Sequence, residues 1–277
     1  LLLQRKMYPF FHNKHPLFRN NGYLLKLFKE KALAYNINAL NFEDGVVLGS
    51  FQGKDYLIYC RPGNLIETTI LLDKIWEEHL AKIMSVYLNG SNGVMIDVGA
   101  NIGANTLPLA AKHPQIRFHC YEPHPEIFDR LKNNIKLNNF NNIEPVKSAV
   151  SNSTEKTLKF YAQKNADNMG KSSLKLNTDI IEHDEIKVPI VSIDETFADS
   201  IDPVLLIKID TQGTELEVLQ SAEKTIKKFR PMILFELEDR YFLDNERDAA
   251  KRTLKKFFED LDYSLLNNTN GLNYLPQ

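Results

Sequence analysis

Cysteine is scarce: Cys60 and Cys120 are the only two in 277 residues. Neither stands at a metal-ligand spacing, which excludes a disulfide scaffold and a paired-cysteine zinc site. Two thiols in apolar, strand-like settings fit a reducing cytoplasm, with Cys120 packed in a sheet core. Long apolar runs are missing too. None approaches the ~20 residues of a membrane-spanning helix. The opening LLLQRKMYPFF lacks a signal peptide's apolar centre, because its leucines are few and precede the charges. Leu1 is not a start residue, so either Met7 begins the protein or residues precede Leu1. The N/D-P-P-Y/F tetrad that holds a flipped base does not occur, and no basic stripe crosses the middle of the chain. Nucleic acid is therefore not an expected partner.

Charge of either sign is nearly balanced, at −2 overall, and only its distribution is informative. From Leu1 to Tyr35 seven basic residues (Arg5, Lys6, Lys14, Arg19, Lys26, Lys29, Lys31) face one acidic residue, Glu30, which gives +6 there and −8 in the remainder. Such an arm suits weak peripheral contact with an anionic membrane or a phosphorylated substrate. Charge alternates with leucine over Tyr23 to Lys31, so a solvated amphipathic helix explains it equally simply.

What the chain does contain is a strand, a tight turn and a helix start at Val94 to Asn105, VMIDVGANIGAN. Val94, Met95, Ile96 and Val98 form an apolar run that carries Asp97 near its end, and Gly99 and Gly103 then permit a loop that closes on a small molecule. The pyrophosphate fingerprint G-x-G-x-x-G fails here, since Asn101 stands where its second glycine belongs. One strand on, Arg117 to Tyr121 ends at Glu122, 23 residues after Gly99, where a carboxylate can accept hydrogen bonds from both hydroxyls of a ribose. Ribose without pyrophosphate points to S-adenosylmethionine. Asp97, at the first strand's carboxyl end, could hold its ammonium group. Gly99, Asn101, Gly103 and Asn105 would form the loop around it, and Ser148 and Ala149 would leave room for adenine.

These residues resemble a known family. DVGANIG at Asp97 to Gly103 is similar to the D/E-x-G-x-G-x-G loop of Rossmann-like methyltransferases. LIKIDTQGTELEVLQSA at Leu206 to Ala222 resembles the K-I-D-x-E-G-x-E-x-x-V-L-x-G-A signature of the FkbM family of S-adenosylmethionine-dependent methyltransferases, and VSIDE at Val191 to Glu195 is similar to a segment preceding it. The likeness covers roughly Arg61 to Leu237. Asp210, Gly213 and Glu215 match, whereas Gln212 replaces the usual glutamate and Ser221 the usual glycine. The resemblance implies O-methylation of a sugar, glycan or polyketide-like hydroxyl, and a segment before the first strand that helps to close the pocket.

The element pattern agrees with an α/β, Rossmann-like, doubly wound sheet. Residues 1–90 read as an N-terminal α+β extension: the basic arm, a hairpin at Val46 to Leu48 and Tyr56 to Tyr59, and a helix over Ile70 to Leu88. In it Arg61, Glu67 and Glu78 are pocket candidates or plain surface charges. Residues 91–277 read as the S-adenosylmethionine-binding domain. Its helices are expected at Thr106 to His113, Pro125 to Asn138, Thr211 to Phe229 and Asp248 to Leu261, with a short one near Asp194 to Phe197. Strands are expected at Ile143 to Val150, Val204 to Ile209 and Met232 to Leu237, with an added one at Leu158 to Tyr161. A terminal antiparallel hairpin follows around Asn270-Gly271. The polar stretch 162–185 is either a disordered segment or a lid that offers Lys171, Ser172 and Ser173.

Methyl transfer to a hydroxyl needs positioning and a base. Asp210, at a strand end, is the first candidate, with capping of the next helix as its structural alternative. Glu236 and His124 are second-line bases, and Glu215 complements a helix dipole. A metal is not expected, although Asp210 and Glu236 together could hold Mg²⁺. The rival readings are an NAD-dependent oxidoreductase and a non-catalytic adenosyl-ligand-binding protein.

Overall fold

The computed structural model describes residues 44–61, 63, 65–164, 166–176, 182–236, 247–268 and 271–276, so the basic arm lies outside the described residues. The chain enters through a hairpin of β1 (Gly45–Phe51) and β2 (Lys54–Cys60). Its two-residue loop, Gln52-Gly53, has φ of 47° and 78°, the positive pair that suits the right-handed twist of the flanking strands. Two helices follow, α1 (Leu65–Asp73) and α2 (Glu78–Leu88), in place of the single helix expected over 70–88. Lys74 and Glu77 break it with left-handed backbone, φ 67° and 43°. The apolar spacing runs on through the break because Ile70, Ile75, Ala81 and Met84 all enter the same core.

The sheet begins with β3 (Gly93–Val98), whose six residues are all buried. It continues through α3 (Thr106–Lys112), β4 (Ile116–Tyr121), α4 (Pro125–Leu137) and β5 (Ile143–Val146). Here the expected strand over 143–150 divides. Ser148 donates its amide to the Val146 carbonyl at 3.0 Å, a tight turn that sends β6 (Ala149–Val150) away from β4. β6 instead pairs with β8 (His183–Val191), which pairs antiparallel with β7 (Thr157–Gln163) to make a separate three-stranded sheet. Within the stretch 162–185, β7 runs through Gln163 and a 3₁₀ turn covers Ala166–Lys171, while residues 165 and 177–181 lie outside the described set.

The chain then forms α5 (Ile193–Phe197), β9 (Val204–Ile209), α6 (Glu215–Ser221) and α7 (Glu223–Phe229). The expected helix over 211–229 starts late and is interrupted at Ala222. The Ser192 hydroxyl takes the Ser221 carbonyl at 2.9 Å, so that carbonyl is not left to continue the ladder. Last come β10 (Met232–Phe235), α8 (Arg247–Glu259) and the terminal hairpin β11 (Tyr263–Asn268) with β12 (Gly271–Pro276).

The large sheet has the order β11-β12-β10-β9-β3-β4-β5, parallel from β10 to β5, with β12 antiparallel to β10. Successive side chains of a strand face opposite layers. Met95, Phe118, Cys120 and Leu206 pack under the hairpin, α3 and α4, while Ile96, Val98, Ile207 and Phe235 pack under α5 to α8. The chain runs outward from β3 through β4 to β5, then outward on the other side from β9 to β10. The switch between β3 and β9 opens a crevice at their carboxyl ends, the usual place for a ligand in such sheets. Among the described residues no helix is long and apolar enough to cross a membrane.

Candidate active site

A cleft of about 560 Å³, including its part open to solvent, lies at that switch point. Its floor is Val98, Gly99 and Asn101 from the β3 loop, Tyr121 and Glu122 from β4, and Asp210 to Gln212 and Thr214 after β9. Ser148, Ala149 and Val150 close one side, and Phe160, Met169, Gly170, Ser172 and Leu174 of the smaller sheet and its 3₁₀ turn form the opposing wall. That wall is tied down. The Ser173 hydroxyl, 1% exposed, donates to the Thr211 and Gln212 carbonyls at 3.3 and 3.0 Å. Ser172 donates to the Met169 carbonyl at 2.7 Å and accepts from the Gln163 amide at 2.9 Å.

The glycine at the turn is required by closeness as well as conformation. Gly99 has φ +78°, and a Cβ there would stand 1.9 Å from the Asp210 carbonyl oxygen. Gly103, φ +90°, instead lets Leu131 and Leu107 approach, so it serves helix packing and does not line the cleft. Glu122 is buried, and its two oxygens accept the amides of His124 at 2.8 Å and Asn101 at 3.0 Å. Burial raises its pKa to about 7, against those two hydrogen bonds, which pull it down.

Several expected residues are placed elsewhere. Asp97 is 0% exposed, accepts from the Thr106 hydroxyl at 2.6 Å and lies 3.1 Å from Lys208 Nζ. Its carboxylate serves the floor from beneath and is absent from the cleft lining. Asn105 also lies off the cleft, with its side chain against Glu77. His124 caps α4, accepting the Ile127 amide at Nδ1 over 3.5 Å, while its ring also bonds the Gln163 backbone. Both interactions occupy the ring, and burial holds its pKa below the usual histidine value. Glu236 follows β10, donating its amide to the Ile209 carbonyl at 3.1 Å, and it does not line the cleft that Asp210 lines. Asp210 itself accepts from Gln212 Nε2 at 2.8 Å. Glu215, the first residue of α6, instead ties down the loop ahead of the helix: its Oε1 accepts the amides of Thr211 and Gly213 at 3.2 and 3.0 Å, while the N-cap residue Thr214 makes no side-chain cap. Of the extension's candidates, Arg61 pairs with Glu126 at 2.7 Å and Glu78 with Lys82 at 2.9 Å. Glu67 is no surface charge: it is 2% exposed and bound by both terminal nitrogens of Arg130. Among the described residues no group of three or more His, Cys, Asp or Glu side chains is arranged to hold a metal.

The profile of the methyltransferase FkbM domain matches residues 97–265, more than half of the chain. The chain belongs to the FkbM methyltransferase family. Among curated relatives, Methyltransferase 1 of Beauveria bassiana is 22% identical over 61% of this chain and 73% of its own length. Methyltransferase sdnD of Sordaria araneosa is 23% identical over 67% of this chain and 86% of its own. A solved methyltransferase FkbM from Methylobacillus flagellatus KT is 18% identical, with TM-score 0.45, and covers 66% of this chain. The present chain spans only 43% of that protein.

Three residues of this FkbM methyltransferase carry more of the site than their sequence suggested. Lys208 is 4% exposed, and besides Asp97 it reaches the Gly99 carbonyl at 3.4 Å. A lysine inside the apolar strand VLLIKI was the available signal, because a buried ammonium needs carboxylates around it. Gln212 orients Asp210, a contact that its place two residues on did not reveal. Glu77, rather than its neighbour Glu78, has its carboxyl acted on by Lys208 and Asp210, and burial raises its pKa.

Proposed function

We propose that the cleft binds S-adenosylmethionine and that the protein methylates a hydroxyl of a sugar, glycan or polyketide-like small molecule. Glu122 is the observation that carries the cofactor reading. It is a buried carboxylate on the cleft floor, fixed by two backbone amides, with lone pairs left for the paired hydroxyls of a ribose. The surroundings fit an adenosyl group: no side chain at Gly99, small residues at Ser148 and Ala149, and apolar Tyr121, Ile127 and Phe160 nearby. Bound there, the cofactor supplies an electrophilic methyl group on a sulfonium.

This chain's residues supply position and a base. Asp210 ends the strand beside Gly99, and Gln212 holds one of its oxygens at 2.8 Å. Its other oxygen takes the acceptor's proton as the hydroxyl attacks. Phe160, Met169 and Leu174 cover the cleft and exclude water. In this reading residues 91–277 are the methyltransferase domain and residues 1–90 an N-terminal extension, whose α2 packs on α3 and β9.

The test is calorimetric titration of cofactor-stripped protein with S-adenosylhomocysteine, with NAD in parallel. Micromolar binding of the first and none of the second is expected. Binding of NAD would decide for an oxidoreductase, and silence toward both from folded protein would overturn the reading. Given cofactor binding, turnover with hydroxyl acceptors separates an enzyme from a non-catalytic binding protein.

A further inference from the structure

Ser173 is buried between two residues that line the cleft, Ser172 and Leu174, and does not line it itself. It is therefore not the ligand contact that a lid would make of it. Its place is set by the smaller sheet. Tyr161 of β7 donates its amide to the Ser173 carbonyl at 2.8 Å and accepts the Ser173 amide at 3.3 Å, and the Lys175 amide donates to Ser173 Oγ at 3.1 Å. With its backbone and one lone pair fixed, the hydroxyl directs its proton to the Gln212 carbonyl at 3.0 Å and the Thr211 carbonyl at 3.3 Å.

Those carbonyls belong to the stretch that carries the candidate base. Gln212 adopts φ 59°, a left-handed backbone that a residue with a side chain keeps only where its surroundings impose it. Glu215 imposes it from one side, its Oε1 accepting the amides of Thr211 and Gly213 and, at 3.1 Å, the Thr211 hydroxyl. Ser173 imposes it from the other side, through the carbonyls. In that conformation Gln212 Nε2 donates to Asp210 Oδ1 at 2.8 Å, and Asp210, Thr211 and Gln212 all line the cleft. A chain of contacts thus runs from Ser173 in the smaller sheet, through Gln212, to the carboxylate at the end of β9.

We propose that Ser173 is a positioning residue for methyl transfer: through the Gln212 backbone it fixes the side chain that aims Asp210 at the acceptor hydroxyl. The assignment rests on the reading of Asp210 as the base. It gives the smaller sheet a part in catalysis besides walling the cleft. Proton transfer depends steeply on where the base is held, so a hydroxyl that never touches the ligand can still set the rate.

The test uses the full chain and its Ser173→Ala, Ser173→Cys, Gln212→Ala and Ser173→Ala/Gln212→Ala variants, with melting curves to establish folding. Calorimetry gives the affinity for S-adenosylhomocysteine, and kcat and KM are measured for methyl transfer to whichever of methyl β-glucoside and cyclohexanol the unaltered protein accepts. Ser173→Ala is expected to lower kcat about tenfold or more, with S-adenosylhomocysteine affinity within about twofold and acceptor KM within about threefold of the parent. Gln212→Ala should lose as much. The double variant should lose no more than Gln212→Ala alone, because both act on Asp210 along one path. Ser173→Cys keeps the volume but offers a weaker donor. Its kcat should fall between those of the parent and Ser173→Ala, and it replaces Ser173→Ala, alone and in the double variant, if that protein does not fold. Undiminished kcat in the folded Ser173 variant, losses that multiply in the double variant, or an equal loss of S-adenosylhomocysteine affinity would make Ser173 a structural strut only; each overturns the proposal. Turnover retained by Asp210→Asn would instead bring down the reading of the base. Failure of the unaltered protein to transfer methyl to either acceptor while it binds S-adenosylhomocysteine would bring down hydroxyl methylation, and this assignment falls with either.

Discussion

Replacing Glu122 by glutamine should change how the protein responds to pH as well as how tightly it binds. In the free protein burial raises this carboxyl from 4.5 to about 7, an interval worth ~3 kcal/mol at 1.36 kcal/mol per pH unit. The unfolded chain releases the proton near pH 4.5, while the folded protein keeps it until near pH 7. The contribution is therefore fully present below pH 4.5 and is lost as pH rises through about 7. For a chain of this length the loss corresponds to a melting temperature lower by about 6 °C. Glu122→Gln removes that pH dependence. It also leaves one of the two amides, Asn101 or His124, facing an NH₂ group, at a cost of ~1–3 kcal/mol. Melting curves of both proteins between pH 4.5 and 8 should converge as pH rises. Ribose hydroxyls donate to the ionised carboxylate, so affinity for 5′-methylthioadenosine should climb toward pH 7 and level off above it in the parent only. Parallel melting profiles, together with an affinity independent of pH, would refute both the buried-acid argument and the ribose assignment.

Asp210→Asn should bind S-adenosylhomocysteine within about threefold of the parent and lose turnover by at least 10²-fold, the usual contribution of a general base; retained turnover would exclude Asp210 as the base. Lys208→Met strands Asp97 in the core without its cation and should cost about 3–5 kcal/mol by denaturant titration. Adding Asp97→Asn to it should recover part of that loss, and strict additivity of the two would argue against the ion pair. Gly99→Ala meets the Asp210 carbonyl at 1.9 Å in a left-handed backbone. Either folding or ligand binding should fail, as thermal melting and calorimetry will show.

The apolar run of Val94 to Val98, the positions of Gly99 and Glu122, and the Lys208 to Glu215 signature are local patterns, which is why the doubly wound sheet and its family were legible in the sequence. Strand ends at Asp97, Glu122 and Asp210 could be located for the same reason. Which way each carboxylate faces could not. Asp97 is drawn under the loop by Lys208, 111 residues away in the chain. Glu215 folds back on the amides that Asp210 was a candidate to cap.

Breaks inside regular patterns were equally hidden. The helix over 70–88 divides at Lys74 and Glu77 although its apolar spacing continues, and the strand over 143–150 divides at Ser148 because β8, some 40 residues on, offers Ala149 and Val150 a better edge. Periodicity records which residues are buried, and it is blind to a backbone that changes direction while burying them. The sequence by itself determined the layers, the order of strand and helix, and the loop that a ligand would meet. Tertiary structure decided the partners of the buried charges. A carboxylate in the core adopts whatever orientation satisfies it, and the groups that satisfy it arrive from distant parts of the chain.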